Sequence, residues 1–336
     1  MTREYKPIPT LTLPLKGREF FRSIGTCLLL ITGAAAAQTY PQKPVRIIVP
    51  FPAGGPSDMQ ARLIGIKLGE AWGQSVVVDN RGGAAGIIGT ELAAHADADG
   101  HTLILISATN AVQPSLYPKL PYDLMRDFAF ITPVTFGPGI VVVNMSLPVR
   151  SVSELIAYAR AHPGKVSFGS AGSGAPSHLT VELLKVMTHI DVVHIPYKGM
   201  APALTDVIGG QLQLSIPTIA AGLPLTRAGK LRALAVTGAN RSQAEPALPT
   251  VAQAGVPGYQ ASNWYGFAAP EKTPRAIIAK LNQEFARIMA APDARDKLLS
   301  VGMEPATSTP AQFTDFVKAE IGKWARVVKT AGIHAD

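Results

Sequence analysis

The 336-residue chain has a single cysteine, Cys27, in an apolar stretch near the N-terminus. The rest of the chain therefore has no disulfide framework, no cysteine-based metal site and no thiol nucleophile. Charge is sparse as well: 16% of residues are Asp, Glu, Lys or Arg, against 47% hydrophobic. No Lys/Arg cluster interleaves with aromatic residues, so the net charge of +8 does not mark a nucleic-acid partner. No apolar run reaches the roughly 20 residues of a membrane-spanning helix. Familiar catalytic and nucleotide motifs are missing too. There is no G-x-x-x-x-G-K-S/T, no H-E-x-x-H, and no G-x-S-x-G around Ser170 or Ser173. The nearest approach to G-x-G-x-x-G, Gly172 to Ser177, fails at its last position. His189 and His194 share no helix face and the other histidines are scattered, so no metal site is expected. What remains is a chain rich in apolar residues, long enough for two ordinary domains or one large one.

Lys16, Arg18 and Arg22 precede an apolar stretch from Ile24 to Ile31, and Ala34 to Ala37 supply an A-x-A cleavage site. Residues 1–37 thus read as a secretory signal peptide. Cleavage after Ala37 removes Arg3, Lys6, Lys16, Arg18 and Arg22 with Glu4 and Glu19, leaving 26 basic and 21 acidic residues and a net charge of +5. Residues 1–15 form a longer polar, proline-containing lead than a signal peptide usually carries, and the start codon is expected downstream of Met1. Thr26 before Cys27 and Leu28 to Leu30 after it argue against a lipid anchor.

From residue 43 onward, β-branched runs alternate with helical stretches. Strands are expected at 45–50, 75–79, 102–107, 140–144, 165–169, 191–195, 211–216 and 231–237. Helices are expected at 57–71, 87–95, 151–161, 176–188 and 200–209. Such alternation argues for βαβ units and mostly parallel sheets. Ile277, Ile278, Leu281, Phe285, Ile288 and Met289 then repeat at helical spacing, as do Phe313, Phe316, Ile321, Trp324 and Val328, so two or three helices close the chain. Proline and glycine clusters at 133–139 and 255–258 mark where the chain crosses between two α/β lobes.

Three glycine-rich turns follow strands and precede helices: Pro52 to Asp58, Arg81 to Gly86 and Gly169 to Gly174. A helix start leaves backbone N–H groups unpaired, and the helix dipole favours an anion there. Any one of these glycines is explained by a tight turn alone. Three together, at strand ends where open α/β sheets bind ligands, suggest a cleft for a small anion. Asp58 serves either as a cap or as a ligand contact. His178 sits early in the helix after the third turn, where the dipole disfavours a charged imidazole, so a neutral hydrogen-bonding or packing role is expected. Trp264 and Tyr265 fit either the core or the cleft.

The first turn is preceded by Tyr40-Pro41-x-Lys43-Pro44-Val45-Arg46-Ile47-Ile48-Val49-Pro50-Phe51 and holds Gly54, Gly55 and Asp58. Further along come Val76-Val77-Val78-Asp79-Asn80-Arg81, Asp99-Gly100-His101-Thr102-Leu103 and Leu120-Pro121-Tyr122-Asp123. His194-Ile195-Pro196-Tyr197-Lys198-Gly199, Gly229-Lys230-Leu231-Arg232-Ala233-Leu234, Gly255-Val256-Pro257-Gly258-Tyr259 and Trp264-Tyr265-Gly266 follow in order. In these segments the chain resembles the tripartite tricarboxylate transporter solute receptors of the Bug/TctC type, over essentially everything after the signal segment. The resemblance implies an α/β, type II-like, two-lobed periplasmic binding protein that closes on its ligand. Lobe one is expected at 40–142 and 262–336, lobe two at 143–261, each a mostly parallel sheet flanked by helices, with the C-terminal helices on lobe one.

It also implies a small carboxylate ligand, held by main-chain N–H groups and bridging waters and delivered to a two-subunit integral membrane permease by a monomer that needs no cofactor. The ligand-binding residues so implied are Phe51, Ala53, Gly54, Gly55, Ser57 and Asp58 in one jaw. Ser170, Ala171, Gly172, Ser173 and Gly174 form the other, with His178 behind them. Gly83 and Ala84 form a wall, and Ser107, Pro217, Thr218 and Trp264 complete the set. Family members often carry an Asp where this chain has Pro217 followed by Thr218. A carboxylate to meet an amino group is thus missing, and no preference for aspartate or glutamate is expected. Two other readings stand beside this one. In one, a loaded receptor signals to a periplasmic sensor. In the other, a periplasmic hydrolase or transferase uses the same cleft, which would need a nucleophile paired with a base.

Overall fold

A computed structural model describes residues 40–333. The signal peptide expected over 1–37, with Cys27, lies outside the described residues, as do the last three positions of the expected lobe one. Among the described residues, Lys43 to Ile333 belong to one compact unit. No helix among the described residues is long and apolar enough to cross a membrane.

The first half begins with three parallel strands, β1 (Val45–Val49), β2 (Val76–Asn80) and β3 (Thr102–Ser107). β1 and β3 are nearly continuous apolar runs, as strands covered on both faces must be. Helix α1 (Pro56–Trp72) links β1 to β2. Proline at its first position fits a site whose N–H has no helical partner, and Gly73 ends it in the left-handed region at φ 64°. After β2 a short 3₁₀ turn (Ala84–Gly86) leads into α2 (Ile87–Ala94), and β3 runs straight into α3 (Ala108–Leu116).

The long β4 (Phe128–Pro138) then carries the chain through Gly139 into β5 (Ile140–Asn144) of a second sheet. There follow α4 (Val152–Ala161), β6 (Val166–Ser170), α5 (Pro176–Thr188), β7 (Val192–Pro196), α6 (Met200–Ile208), β8 (Leu214–Ser215), α7 (Ile219–Arg227) and β9 (Leu231–Val236). The Ser151 side chain accepts the Glu154 N–H at 3.1 Å and caps α4. The chain returns in β10 (Ser262–Pro270) and finishes with α8 (Arg275–Ala290), α9 (Pro292–Ser300), β11 (Glu304–Pro305) and α10 (Pro310–Ala331).

The strand orders are β11-β4-β10-β3-β1-β2 and β7-β6-β8-β5-β9. In each sheet, the strand that has just crossed over (β10 or β5) pairs antiparallel with the last of three parallel strands. The sheets are therefore mixed, where mostly parallel ones were expected. β4 and β10 were not expected as strands at all, because Pro133, Gly137 and Pro138 read as loop. β4 tolerates Pro133 beside a register shift, where the ladder is already interrupted. Helices α3 and α7 carry internal prolines, Pro114 and Pro224, and were likewise unexpected. The chain changes sheet at Gly139, ahead of the 142/143 boundary, since Ile140 to Asn144 already belong to the second sheet.

The crossings lie side by side: Gly139 N–H donates to Thr237 Oγ1 at 2.7 Å, and Ala261 N–H to the Thr237 carbonyl at 2.9 Å. Helix α10 covers β4 and α3 and also reaches α5, so it touches the layers of both sheets. Beneath it, Trp264 meets Phe313 and Phe316 edge-on at 5.8 and 5.4 Å. Gly266 leaves no room for a side chain, since a Cβ there would lie 2.3 Å from the Phe313 ring and 2.9 Å from the Thr132 carbonyl oxygen. Gly266→Ala is expected to cost about 1–3 kcal/mol in urea denaturation. Adding Phe313→Leu should recover part of that loss by removing the obstructing ring edge.

Candidate functional site

The carboxyl ends of the six parallel strands end in the loops at 50–55, 81–86, 107, 171–175, 197–199 and 216–218. Beside several of these ends lies a cavity of about 390 Å³. Its wall takes Ala108, Thr109, Val112, Gln113, Leu116 and Tyr117 from α3 and its end, with Ala85, Ser262, Asn263 and Trp324. From the second sheet's layer come Ala171 to Ala175, then Pro176, Leu179 and Thr180 of α5. Asp, Glu, Lys, Arg and His are absent from this lining.

Of the residues singled out in the sequence, Ala171, Gly172, Ser173 and Gly174 line the cavity, and the rest do not. The third turn is less open than expected, because most of its N–H groups already have partners. Ala171 donates to Ser177 Oγ at 3.0 Å, Gly172 to Ser170 Oγ at 3.2 Å, Gly174 to His178 Nδ1 at 3.0 Å and Ala175 to the Gly172 carbonyl at 3.2 Å. His178 is buried and acts as an acceptor, which places its ring proton on Nε2, facing Glu182 Oε1 at 3.6 Å. Its ring stacks on His194 at 3.7 Å between centroids, and His194 stacks in turn on Phe168 at 4.8 Å.

His194 Nε2 lies 2.6 Å from Ser170 Oγ, the spacing of a nucleophile and its base. The surroundings remove that chemistry. Ser170 is fully buried, lies off the cavity wall and is engaged by the turn at Gly172. Burial, and then the stacked His178, pushes the His194 imidazole down to about 4, too low for a general base at neutral pH. The pair clasps the turn. Among the described residues, no group of three His, Cys, Asp or Glu is placed to hold a metal.

The first turn stands next to the cavity rather than in it. Gly54 N–H donates to Asp58 Oδ2 at 2.9 Å, and Arg62 Nε reaches the same oxygen at 3.0 Å. The Arg62 hydrogen bond, aided by Gly54, holds the Asp58 carboxyl below the usual range against its burial. Asp58 is thus a cap. Ser57 hydrogen-bonds the Tyr265 hydroxyl, which accepts from Asn263 Nδ2 at 3.0 Å, so a chain of polar groups joins α1's start to the cavity wall. Ala53 and Gly54 are exposed, Gly55 precedes α1, and the Phe51 carbonyl accepts from Asn80 Nδ2 at 3.2 Å. Gly83 and Ala84 hold positive φ, 126° and 46°, just ahead of Ala85.

Four further residues lie off the cavity wall. Ser107 is buried at the start of α3, where its N–H donates to Asn110 Oδ1 at 2.9 Å. The Pro217 carbonyl accepts from Ile140 N–H at 2.9 Å and Thr218 bridges to Gly139, so both belong to the crossing. Trp264 has 0% exposure, and its Nε1–H donates to Glu320 Oε2 at 3.1 Å, which makes it core. The α3 wall was missed in the sequence. Its signal was Ser107-Ala108-Thr109-Asn110 at the end of an apolar strand, a helix start obscured by Pro114.

Two mixed α/β sheets, joined by adjacent crossings and sharing a cavity near the carboxyl ends of their strands, define a two-lobed periplasmic binding protein. The comparisons agree. The chain belongs to the tripartite tricarboxylate transporter family of receptors, whose model matches residues 60–333. Protein BugT of Bordetella pertussis is 39% identical over 90% of this chain and 93% of its own. The structure of R. palustris Rpa4515 with adipate is 40% identical, covers 88% of this chain and 100% of its own, and superposes with a TM-score of 0.70. A TctC solute-binding protein from Polaromonas, solved with no ligand, is 26% identical, covers 87% and 100%, and superposes at 0.81.

The His194 position carries a pH signature. Its imidazole sits at about 4 in the folded chain against 6.5 ordinarily, so between these values the unfolded chain binds the extra proton. Stability is full above about 6.5 and falls as pH drops toward about 4. Calorimetric melting of the native protein should show that slope, and His194→Gln, which keeps a partner for Ser170, should flatten it. Equal slopes in the two proteins would refute the assignment.

Proposed function

We propose that this chain is a periplasmic receptor that holds a small organic carboxylate between its two lobes and delivers it to a two-subunit membrane permease. The observation that carries this reading is the cavity wall, to which the start of α3 (Ala108, Thr109) contributes and in which no side chain is charged. The first N–H groups of a helix have no intrahelical partner, and the dipole adds a fixed positive end. A carboxylate bound there is met by backbone donors and bridging waters, without the cost of burying a full counter-charge. The adipate carried by Rpa4515 supports a carboxylate as the ligand.

The lobes are residues 43–138 with 262–333, and 140–261. The better superposition on a ligand-free relative, despite lower identity, supports taking this arrangement as the open receptor. Ligand bridging both lobes would favour a closed form through its differential affinity. The lining offers no Asp or Glu to an ammonium group, which supports a ligand other than aspartate or glutamate. The receptor works as a monomer and without a cofactor.

The test is calorimetry and thermal shift on refolded, ligand-stripped protein with mono-, di- and tricarboxylates. Saturable binding by at least one acid is expected, and silence from all of them would overturn the reading. Thr109→Trp, which fills the cavity at the α3 start, should weaken that binding at least tenfold while leaving the melting temperature of the empty protein within a few degrees.

A further inference from the structure

The two lobes also meet on the side of the crossings away from the cavity. In the first sheet, the crossing strands β4 and β10 stand between β11 on one side and β3, β1 and β2 on the other. A second hollow, of about 330 Å³, lies on the β11 side. Its wall takes Phe136, Glu304 and Pro305 from lobe one and Asn240, Arg241 and Gln243 from lobe two. Ser262 of β10 is the one residue that lines both this hollow and the cavity. The crossings thus separate two gaps between the lobes.

Across the second gap, hydrogen bonds run from lobe to lobe. Glu304 Oε1 accepts from Ser242 Oγ at 2.7 Å and from the Gln243 N–H at 3.1 Å. Arg295 Nη2, on α9, donates to Gln243 Oε1 at 3.0 Å. Gly302, in the left-handed region at φ 72°, lies so near α7 that a Cβ there would stand 3.2 Å from the Ala220 nitrogen. Ser242 is buried, and hydrogen bonds to a carboxylate are stronger than those between neutral groups. Bodies that pivot on a shared pair of strands act as a lever. A motion that narrows the gap beside β3 widens the gap beside β11.

We infer that Glu304 is a latch that holds the receptor open and so sets its affinity from outside the cavity. This rests on the open arrangement and the carboxylate reading above. Closure on a ligand must break the bonds of Ser242 and Gln243 to Glu304, and part of the ligand's differential affinity is consumed in breaking them. The smaller the fraction of molecules ready to close, the weaker the apparent binding. Loss of Glu304 therefore tightens binding, the opposite of what loss of a ligand contact does.

The test titrates adipate, succinate, citrate and benzoate into the ligand-stripped full chain and its variants. Glu304→Ala is expected to bind whichever of these acids the native chain binds about tenfold more tightly, and Ser242→Ala about threefold, with melting curves confirming folded protein. Ser242→Cys with Glu304→Cys, joined by a short reducible thiol crosslinker, should bind about tenfold more weakly than the native chain and more tightly than it once the bridge is reduced. Native affinity in Glu304→Ala, or in the bridged pair, overturns the latch and leaves the carboxylate reading standing. If all four acids are silent in every protein, the carboxylate reading fails and small-angle scattering of the empty proteins decides the latch. Glu304→Ala is then expected to be more compact than the bridged pair, and matching curves overturn the inference.

Discussion

The rest of the molecule hangs on the antiparallel pairing of β4 and β10. These strands run alongside each other from Phe128 and Pro270 at one end to Pro138 and Ser262 at the other. β4 runs on through Gly139 into β5, and β10 is entered from the segment that follows β9, so the two halves are joined by two backbone connections lying side by side. Because both crossings leave from one place, the parallel strands of each sheet end near a shared space. Loops that would otherwise be unrelated are thereby brought together. The hydrogen bonds of Thr237 to both crossing segments hold that junction in register.

Glu320 secures the same region from the other side. Its buried carboxylate accepts the indole N–H of Trp264 at 3.1 Å and that of Trp324 at 3.0 Å, and pairs with Lys323. Lys323 also donates to the Gln260 carbonyl at 3.1 Å, next to the returning crossing. A carboxylate in a low-dielectric setting is tolerable when its oxygens are engaged, and here they are engaged by groups from β10 and α10. One acidic residue thus ties the C-terminal helix, β10 and the cavity wall at Trp324 into a single unit.

Much of the architecture was legible because burial leaves a pattern. Runs such as Val45–Val49 and Thr102–Ser107 are too apolar for anything but buried strands, and Ser151 and Thr309 announce their helices through their caps. Proline concealed the remainder. Pro133 sits in a strand and Pro114 and Pro224 in helices, each where neighbouring structure absorbs the missing N–H. The site was legible in part. The third turn, expected as one jaw of the cleft, lines the cavity, but glycine spacing carries no record of which N–H groups neighbouring side chains will claim. Ser177, Ser170 and His178 fill that role through three-dimensional placement. Trp264 shows the converse: an aromatic residue after a crossover fits core and cleft equally until Glu320, 56 positions away, supplies its partner.

The internal bonds of the third turn have a consequence for the life of the empty protein. A loop whose donors waited for solute would be ordered by that solute, and its shape would follow supply. Here serine and histidine side chains stand in as a permanent occupant, so the loop is finished as soon as the chain folds. The shape of the turn is then a property of the folded chain itself and needs no occupant in the cavity to maintain it.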